Sequence, residues 1–176
     1  MKKVIFIIPM YNAKQHIYEL VTSLKEQTNK NWKAYFIDDL STDGSASEVI
    51  KYSKKDSRIK IIKNTEKKWA LRNVVEVSRM CVDDDAIIAI VDADDSLCNE
   101  NTVDLLLRSY DEETDTVWTA HTWDINGLNV SKELPEKINP YQHPWCTSHL
   151  KTFRSNLINQ VKDENFKDLE GNWFKR

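Results

Sequence analysis

The sequence predicts an α/β fold with a mostly parallel central sheet flanked by helices. Three observations predict it. Strand-like and helix-like segments alternate from the N-terminus onward. The strand-like runs Val4-Ile5-Phe6-Ile7-Ile8 and Ile87-Ile88-Ala89-Ile90-Val91 are apolar throughout, as in strands buried on both faces. Two strands end abruptly in acids, Asp38-Asp39 and Asp92-Ala93-Asp94-Asp95, and open α/β sheets place their ligands beyond such strand ends.

Each element follows from its own residues. Val4–Ile8 is a buried strand, expected to stop at Pro9, which has no N–H to donate. Ile17, Leu20, Val21 and Leu24 form one stripe of a helix. Trp32–Ile37 is the second strand. Ser41-Thr42-Asp43-Gly44-Ser45 then supplies turn and capping chemistry for a short helix through Glu48, Val49, Ile50 and Tyr52. Arg58–Ile62 is a third, shorter strand. Trp69–Met80 is a helix expected to turn Ala70, Val74, Val77 and Cys81 to the sheet. Ala86–Val91 is the fourth strand, and Asn99 or Asn101 caps a helix through Val103, Leu106 and Leu107. Thr116–Ala120 is a further strand. Beyond it the pattern degrades: Asn126-Gly127 suits a turn, and Pro135, Pro140 and Pro144 mark an irregular, aromatic-rich segment. A last helix is expected from Thr152 to Val161.

With 176 residues the chain suits one domain. Residues 1–120 form its α/β core, and 121–176 an irregular segment of the same domain. A net charge of −3 argues against a nucleic-acid partner. No apolar run reaches the roughly 18 residues of a membrane span. The start, Met1-Lys2-Lys3 and then an apolar run, lacks the length and cleavage site of a signal peptide. Cys81, Cys98 and Cys146 are widely spaced and form neither a disulfide framework nor a zinc pattern, so a cytoplasmic location is expected. The charged Lys51–Lys60 stretch reads as a solvated face, and Asp83-Asp84-Asp85 as a solvated turn at the opposite sheet edge.

The chemistry concentrates at the other edge. In a parallel sheet, Asp38-Asp39 and Asp92/Asp94/Asp95 emerge on the same side and can line one crevice. Three packed acids repel one another unless a cation lies between them, and a divalent cation that itself holds a phosphate is the simplest candidate. Pro9-Met10-Tyr11-Asn12 ends the first strand at that edge. Tyr11 offers a face for a nucleobase, and an aspartate can accept from a base N–H or a ribose hydroxyl.

These residues, taken in order, resemble the family 2 glycosyltransferases of the GT-A (Rossmann-like) fold. The resemblance is carried by Ile7–Asn12, Ile37–Ser45, Leu71-Arg72-Asn73 and Val91–Asp95, and covers about Lys3 to Tyr110. It implies transfer of a sugar from a nucleotide-diphospho-sugar, a UDP-sugar favoured, to an acceptor that could be a glycan, lipid or protein. It implies that Pro9, Tyr11, Asn12, Asp38 and Asp39 hold the base end, and that Lys68 and Arg72 lie near the diphosphate. Asp92 would then approach the ribose or sugar, with Ala93 and Asp94 also counted among the donor-binding residues. Asp94, with Asp95 as a second candidate and His149 as a weaker third, would ligate Mn²⁺ or Mg²⁺; His121 and His143 are weaker still. The His149–Arg154 stretch resembles the family's later, acceptor-side segment.

The chain also departs from the family. Leu40 stands where glycine is usual, Trp69-Ala70 replaces a glycine-containing turn, and glycines total only three. Inverting members use a downstream Asp or Glu as general base, and that motif is expected beyond Arg176. Hence the alternative reading is a donor-binding module without catalysis. Trp118 is expected in the core, and Trp145 could line an acceptor groove. Phosphatases of the haloacid-dehalogenase type and receiver domains place their acids after the first strand, where this chain has Tyr11-Asn12, and are disfavoured.

Overall fold

The computed structural model describes residues 2–82, 86–139 and 142–175; Asp83–Asp85 and Pro140 lie outside the described residues. The elements run β1 (Lys3–Met10), α1 (Ile17–Glu26), β2 (Trp32–Asp38), α2 (Ser45–Ser53), β3 (Ile59–Lys63), α3 (Trp69–Met80), β4 (Ala86–Ile90), α4 (Thr102–Ser109), β5 (Thr116–Trp118) and β6 (Lys151–Arg154). The six strands form one sheet in the order β3-β2-β1-β4-β6-β5. β3, β2, β1 and β4 are mutually parallel, and β6 runs antiparallel between β4 and β5. The expected α/β class and mostly parallel sheet are therefore present.

Alternation along β1 builds a core on both faces. Val4, Phe6 and Ile8 pack with Ile17, Leu20 and Leu24 of α1, Val49 of α2 and Val103 and Leu106 of α4. Ile5 and Ile7 pack on the other face with Ile37, Ile88 and Val74 and Val77 of α3. No strand residue from Val4 to Ile8 is more than 3% exposed, which explains the unbroken apolar run.

Four expectations need correction. Pro9 does not stop β1, which continues to Met10 with Pro9 opposite Ile37. β4 ends at Ile90, opposite Ile7, so β1 then has a strand neighbour on one side only and a missing N–H is tolerated. Ala70 is exposed, because the first turn of α3 stands at the edge of the sheet; Asn73, Val74, Val77 and Ser78 form the buried face instead. β5 ends at Trp118, short of Ala120. Thr152–Val161 is not a helix: Lys151–Arg154 is strand β6, followed by a 3₁₀ turn over Ser155–Gln160. Its buried Thr152 bonds the Tyr110 hydroxyl (2.8 Å) and the Val117 carbonyl (2.8 Å), pairings that only an extended segment reaches.

Candidate functional site

The loops after β1, β2 and β4 meet at one edge of the sheet, because these strands are adjacent and parallel. Helices α1, α2 and α4 cover one face and α3 the other, so chain direction reverses about β1 and β4. This is the topological switch point at which such sheets open a crevice. Asp39 follows β2 and Asp92 follows β4, with β1 between them. Two inter-strand steps separate them, about 10 Å at the backbone.

On the β2 side, Asp39 is 3% exposed and fully engaged. Its Oδ1 accepts from Asn64 Nδ2 (2.7 Å) and the Lys68 amide (2.9 Å), and its Oδ2 from the Trp69 amide (2.9 Å). The carboxylate thus caps α3 from a different strand and satisfies two of the amides that a helix start leaves open. Burial pushes the Asp39 carboxyl up, but these amide bonds outweigh it and hold it below the ordinary aspartate value. Lys67 closes the arrangement: its ammonium lies 3.4 Å from Asp39 Oδ2 and 3.0 Å from the centre of the Tyr11 ring. Tyr11 and Asp39 therefore flank a common point.

Asn12 and Asp38 stitch the loops together. Asn12 accepts from the Thr42 amide (2.8 Å), its own amide donates to Ser41 Oγ (3.0 Å), and Asp38 accepts from the Ser41 amide (2.9 Å). Asn12 adopts a left-handed backbone at φ 52°, which asparagine tolerates. Leu40, and Trp69 in the Trp69-Ala70 turn, are left-handed as well, at φ 67° and φ 64°. Each holds with a side chain a backbone conformation that suits glycine. Of the expected diphosphate cations, Lys68 contacts Glu76 (2.7 Å), and Arg72 contacts Glu76 (2.7 Å) and Glu66 (3.2 Å).

On the β4 side, the antiparallel register of β6 sets Lys151 opposite Ile90, so His149 lies beside the acids that follow β4. Its Nε2 is 3.2 Å from Asp92 and its Nδ1 3.2 Å from Asp95. The Nδ1 atom is buried, and its approach to Asp95 is too poorly aligned to make a hydrogen bond. Contact with Asp95 pushes the His149 imidazole up from its ordinary value, against burial, and the same contact lowers Asp95. Asp92 is raised by burial first and then by Asp95 and Asp94, with His149 opposing. His121 lies next to His149, its ring centre 5.5 Å away, and Ser148 Oγ is 3.0 Å from its Nδ1.

Asp95, His121 and His149 offer ligand atoms that lie within 4.8 Å of one another. A carboxylate with two imidazoles, one carrying a buried nitrogen without a hydrogen bond, suits a divalent cation. Asp94 is exposed and outside this group, and Ala93 is buried beneath it. Of the residues expected from the sequence, Tyr11 and Asp39 come together, and so do His149 and Asp95, whereas Asp94, the first expected ligand, stands apart from them. Asn64, Lys67 and Glu76 were not singled out in the sequence, and His121, the weaker candidate, lies beside His149. Asn64 follows β3 at the same edge, so the strand-end rule that found Asp39 could also have found it.

Comparison with known proteins bears on the whole chain. Residues 5–168 match the family described as Glycosyl transferase family 2. A poly(ribitol-phosphate) beta-glucosyltransferase from Bacillus spizizenii is 29% identical over 147 residues, covering 78% of this chain and 22% of the relative. An uncharacterized glycosyltransferase from Rickettsia conorii is 35% identical over 171 residues, covering 89% and 27%. The chain thus spans about a quarter of the length of these relatives. Among solved structures, S. aureus TarS 1-349 in complex with UDP superposes with a TM-score of 0.71 at 20% identity, over 97% of this chain and 53% of that one. The mannosyltransferase PcManGT from Pyrobaculum calidifontis, in complex with GDP-Man and Mn2+, gives 0.66 at 19%, over 90% and 46%. The fold is GT-A. With the match extending from the first strand to beyond the last, this chain belongs to glycosyl transferase family 2.

Proposed function

We propose that the crevice between the β2 and β4 loops binds a nucleotide-diphospho-sugar, and that the chain provides the donor side of glycosyl transfer, with inversion at the sugar carbon. The observation that carries this reading is the pairing of two half-sites across the switch point. Tyr11 and Asp39 flank one point, and the Asp92–Asp95 loop gathers around His149 about two strands away. A base stacked on Tyr11 would direct its diphosphate across the end of β1 towards the second cluster. Pro9 shapes the strand end beneath the base, and Asn12 and Asp38 hold the loops that present Tyr11. Lys68 and Arg72 offer positive charge at the start of α3, tempered by Glu76.

Two neighbours bear on the donor. One is a complex of TarS with UDP-GlcNAc and one a complex of PcManGT with GDP-Man, so the shared fold accepts either nucleotide. A UDP-sugar is the reading we favour for this chain. Asp95 and His149, with His121 and the neighbouring exposed Asp94, would hold the cation. Two imidazoles favour Mn²⁺ over Mg²⁺, which prefers an all-oxygen shell. A bound cation supplies Lewis-acid neutralisation of the diphosphate leaving group. The chain's own residues position the donor and hold Asp92 beside the sugar end. A glycan, lipid or protein is the acceptor class. No helix among the described residues is long and apolar enough to cross a membrane, and Cys81, Cys98 and Cys146 are free thiols, which accords with work in the cytoplasm.

The test is a thermal-shift screen of UDP, GDP and their sugars with and without Mn²⁺, followed by assay of sugar transfer and donor hydrolysis. A midpoint raised by a uridine nucleotide, and raised further by Mn²⁺, supports the donor site. No shift with any nucleotide contradicts it. Binding without transfer or hydrolysis marks a donor-binding module.

A further inference from the structure

Lys67 occupies the place that the donor reading gives to the base. Its ammonium lies 3.0 Å from the centre of the Tyr11 ring and 5.3 Å from that of Trp69. It is also 3.4 Å from Asp39 Oδ2 and donates to the Asp39 carbonyl at 3.1 Å. Two aromatic faces and two oxygens of one aspartate thus surround a single positive charge, and the side chain is 28% exposed. A planar base stacked on Tyr11 needs the layer immediately above that ring, about 3.5 Å from it at van der Waals separation. The ammonium already fills that layer on the Tyr11 face that Lys67 shares with Asp39, so on that face base and ammonium exclude each other.

Resting on the donor-site reading, we infer that Lys67 is a displaceable internal occupant of the base slot. It supplies Tyr11 and Asp39 with a cationic partner when no nucleotide is bound, and it must swing out for a base to stack. The slot is therefore preformed but closed, and part of the intrinsic affinity for a nucleoside is spent on opening it. The penalty equals the strength of the contacts that Lys67 gives up. Cation–π contacts at partly exposed sites set it at about three- to thirty-fold in apparent affinity. The Trp69 ring adds a second, longer contact to the ammonium, and its left-handed backbone at φ 64° turns the chain there directly after Lys67 and Lys68.

The experiment is calorimetric titration of uridine and of UDP into the wild type and Lys67→Met, which keeps an unbranched side chain, one atom shorter, and removes the charged ammonium. Uridine should bind the variant about three- to thirty-fold more tightly. A second reading uses the wild type alone, labelled with ¹³C at lysine Cε. The ring current of Tyr11 should shift one lysine resonance upfield, that resonance should be absent from Lys67→Met, and saturating UDP should return it to the ordinary lysine position. Equal or weaker uridine binding by the variant, or an upfield resonance that UDP leaves in place, overturns the inference while leaving the donor site standing. If neither protein binds uridine or UDP, the donor-site reading fails and the inference falls with it.

Discussion

Asp39 shows how one side chain serves both fold and site. Its carboxylate takes the Lys68 and Trp69 amides at the start of α3, and its backbone amide donates to the Met10 carbonyl (2.9 Å) at the end of β1. Replacing it with alanine leaves the part-buried Lys68 and Trp69 amides without this acceptor and takes from Asn64 Nδ2 one of its two, the other being Asn73 Oδ1. We expect Asp39→Ala to lose about 2 kcal/mol of stability, measured by urea denaturation. The pH dependence follows from the sign of its shift. The folded-state carboxyl lies below its unfolded value, so its contribution is full above about pH 4 and is lost as pH falls through the lower folded value. The stability gap between wild type and variant should therefore narrow in acid. A gap that stays constant down to pH 2 would contradict the capping role. The acidic strand end was legible in the sequence because a buried apolar run stops at charge. The capping was not, since it joins β2 to a helix that begins some thirty residues later.

At the scale of elements, the loop after β2 carries a cost that the sequence makes visible. Leu40 is exposed and sits in the left-handed region at φ 67°, a conformation that suits glycine. Leu40→Gly should raise stability by about 0.5–1 kcal/mol, after allowing for the greater freedom of glycine in the unfolded chain. A lower denaturation midpoint would show that Leu40 makes contacts worth more than the strain. β6 teaches the converse lesson. Its residues Lys151–Arg154 gave no clear strand signal, because the four are flanked by irregular chain and only Thr152 is fully buried. Long-range pairing with β4 and β5 decided the conformation. Thr152→Val should cost about 1–2 kcal/mol by leaving the buried Tyr110 hydroxyl and Val117 carbonyl without that partner. An unchanged denaturation midpoint would contradict the role given to that hydroxyl. Missing this strand in the sequence meant missing how His149 reaches the acids after β4.

Over the whole molecule, the parallel half of the sheet was readable from hydrophobic runs and their acidic ends, and so was the emergence of the Tyr11 and Asp39 loops at one sheet edge. The gathering of residues around His149 depends on the antiparallel strand β6. His121 and His149 arrive beside Asp95 from segments with no regular periodicity, so only tertiary structure brings the three together. His149→Ala should remove the Mn²⁺-dependent part of nucleotide binding while leaving binding of the bare nucleoside intact. Retention of the full Mn²⁺ effect in that variant would place the cation elsewhere.

Two half-sites in one crevice, one for a base and one for a cation and diphosphate, are separable by titrating UDP into the wild type, Tyr11→Ala and His149→Ala, each with and without Mn²⁺. Tyr11→Ala should weaken UDP binding about tenfold or more in both conditions, the scale of a lost base–aromatic stack. His149→Ala should match the wild type without Mn²⁺ and lose the gain that Mn²⁺ brings. UDP binding that is insensitive to both substitutions would rule out the shared crevice.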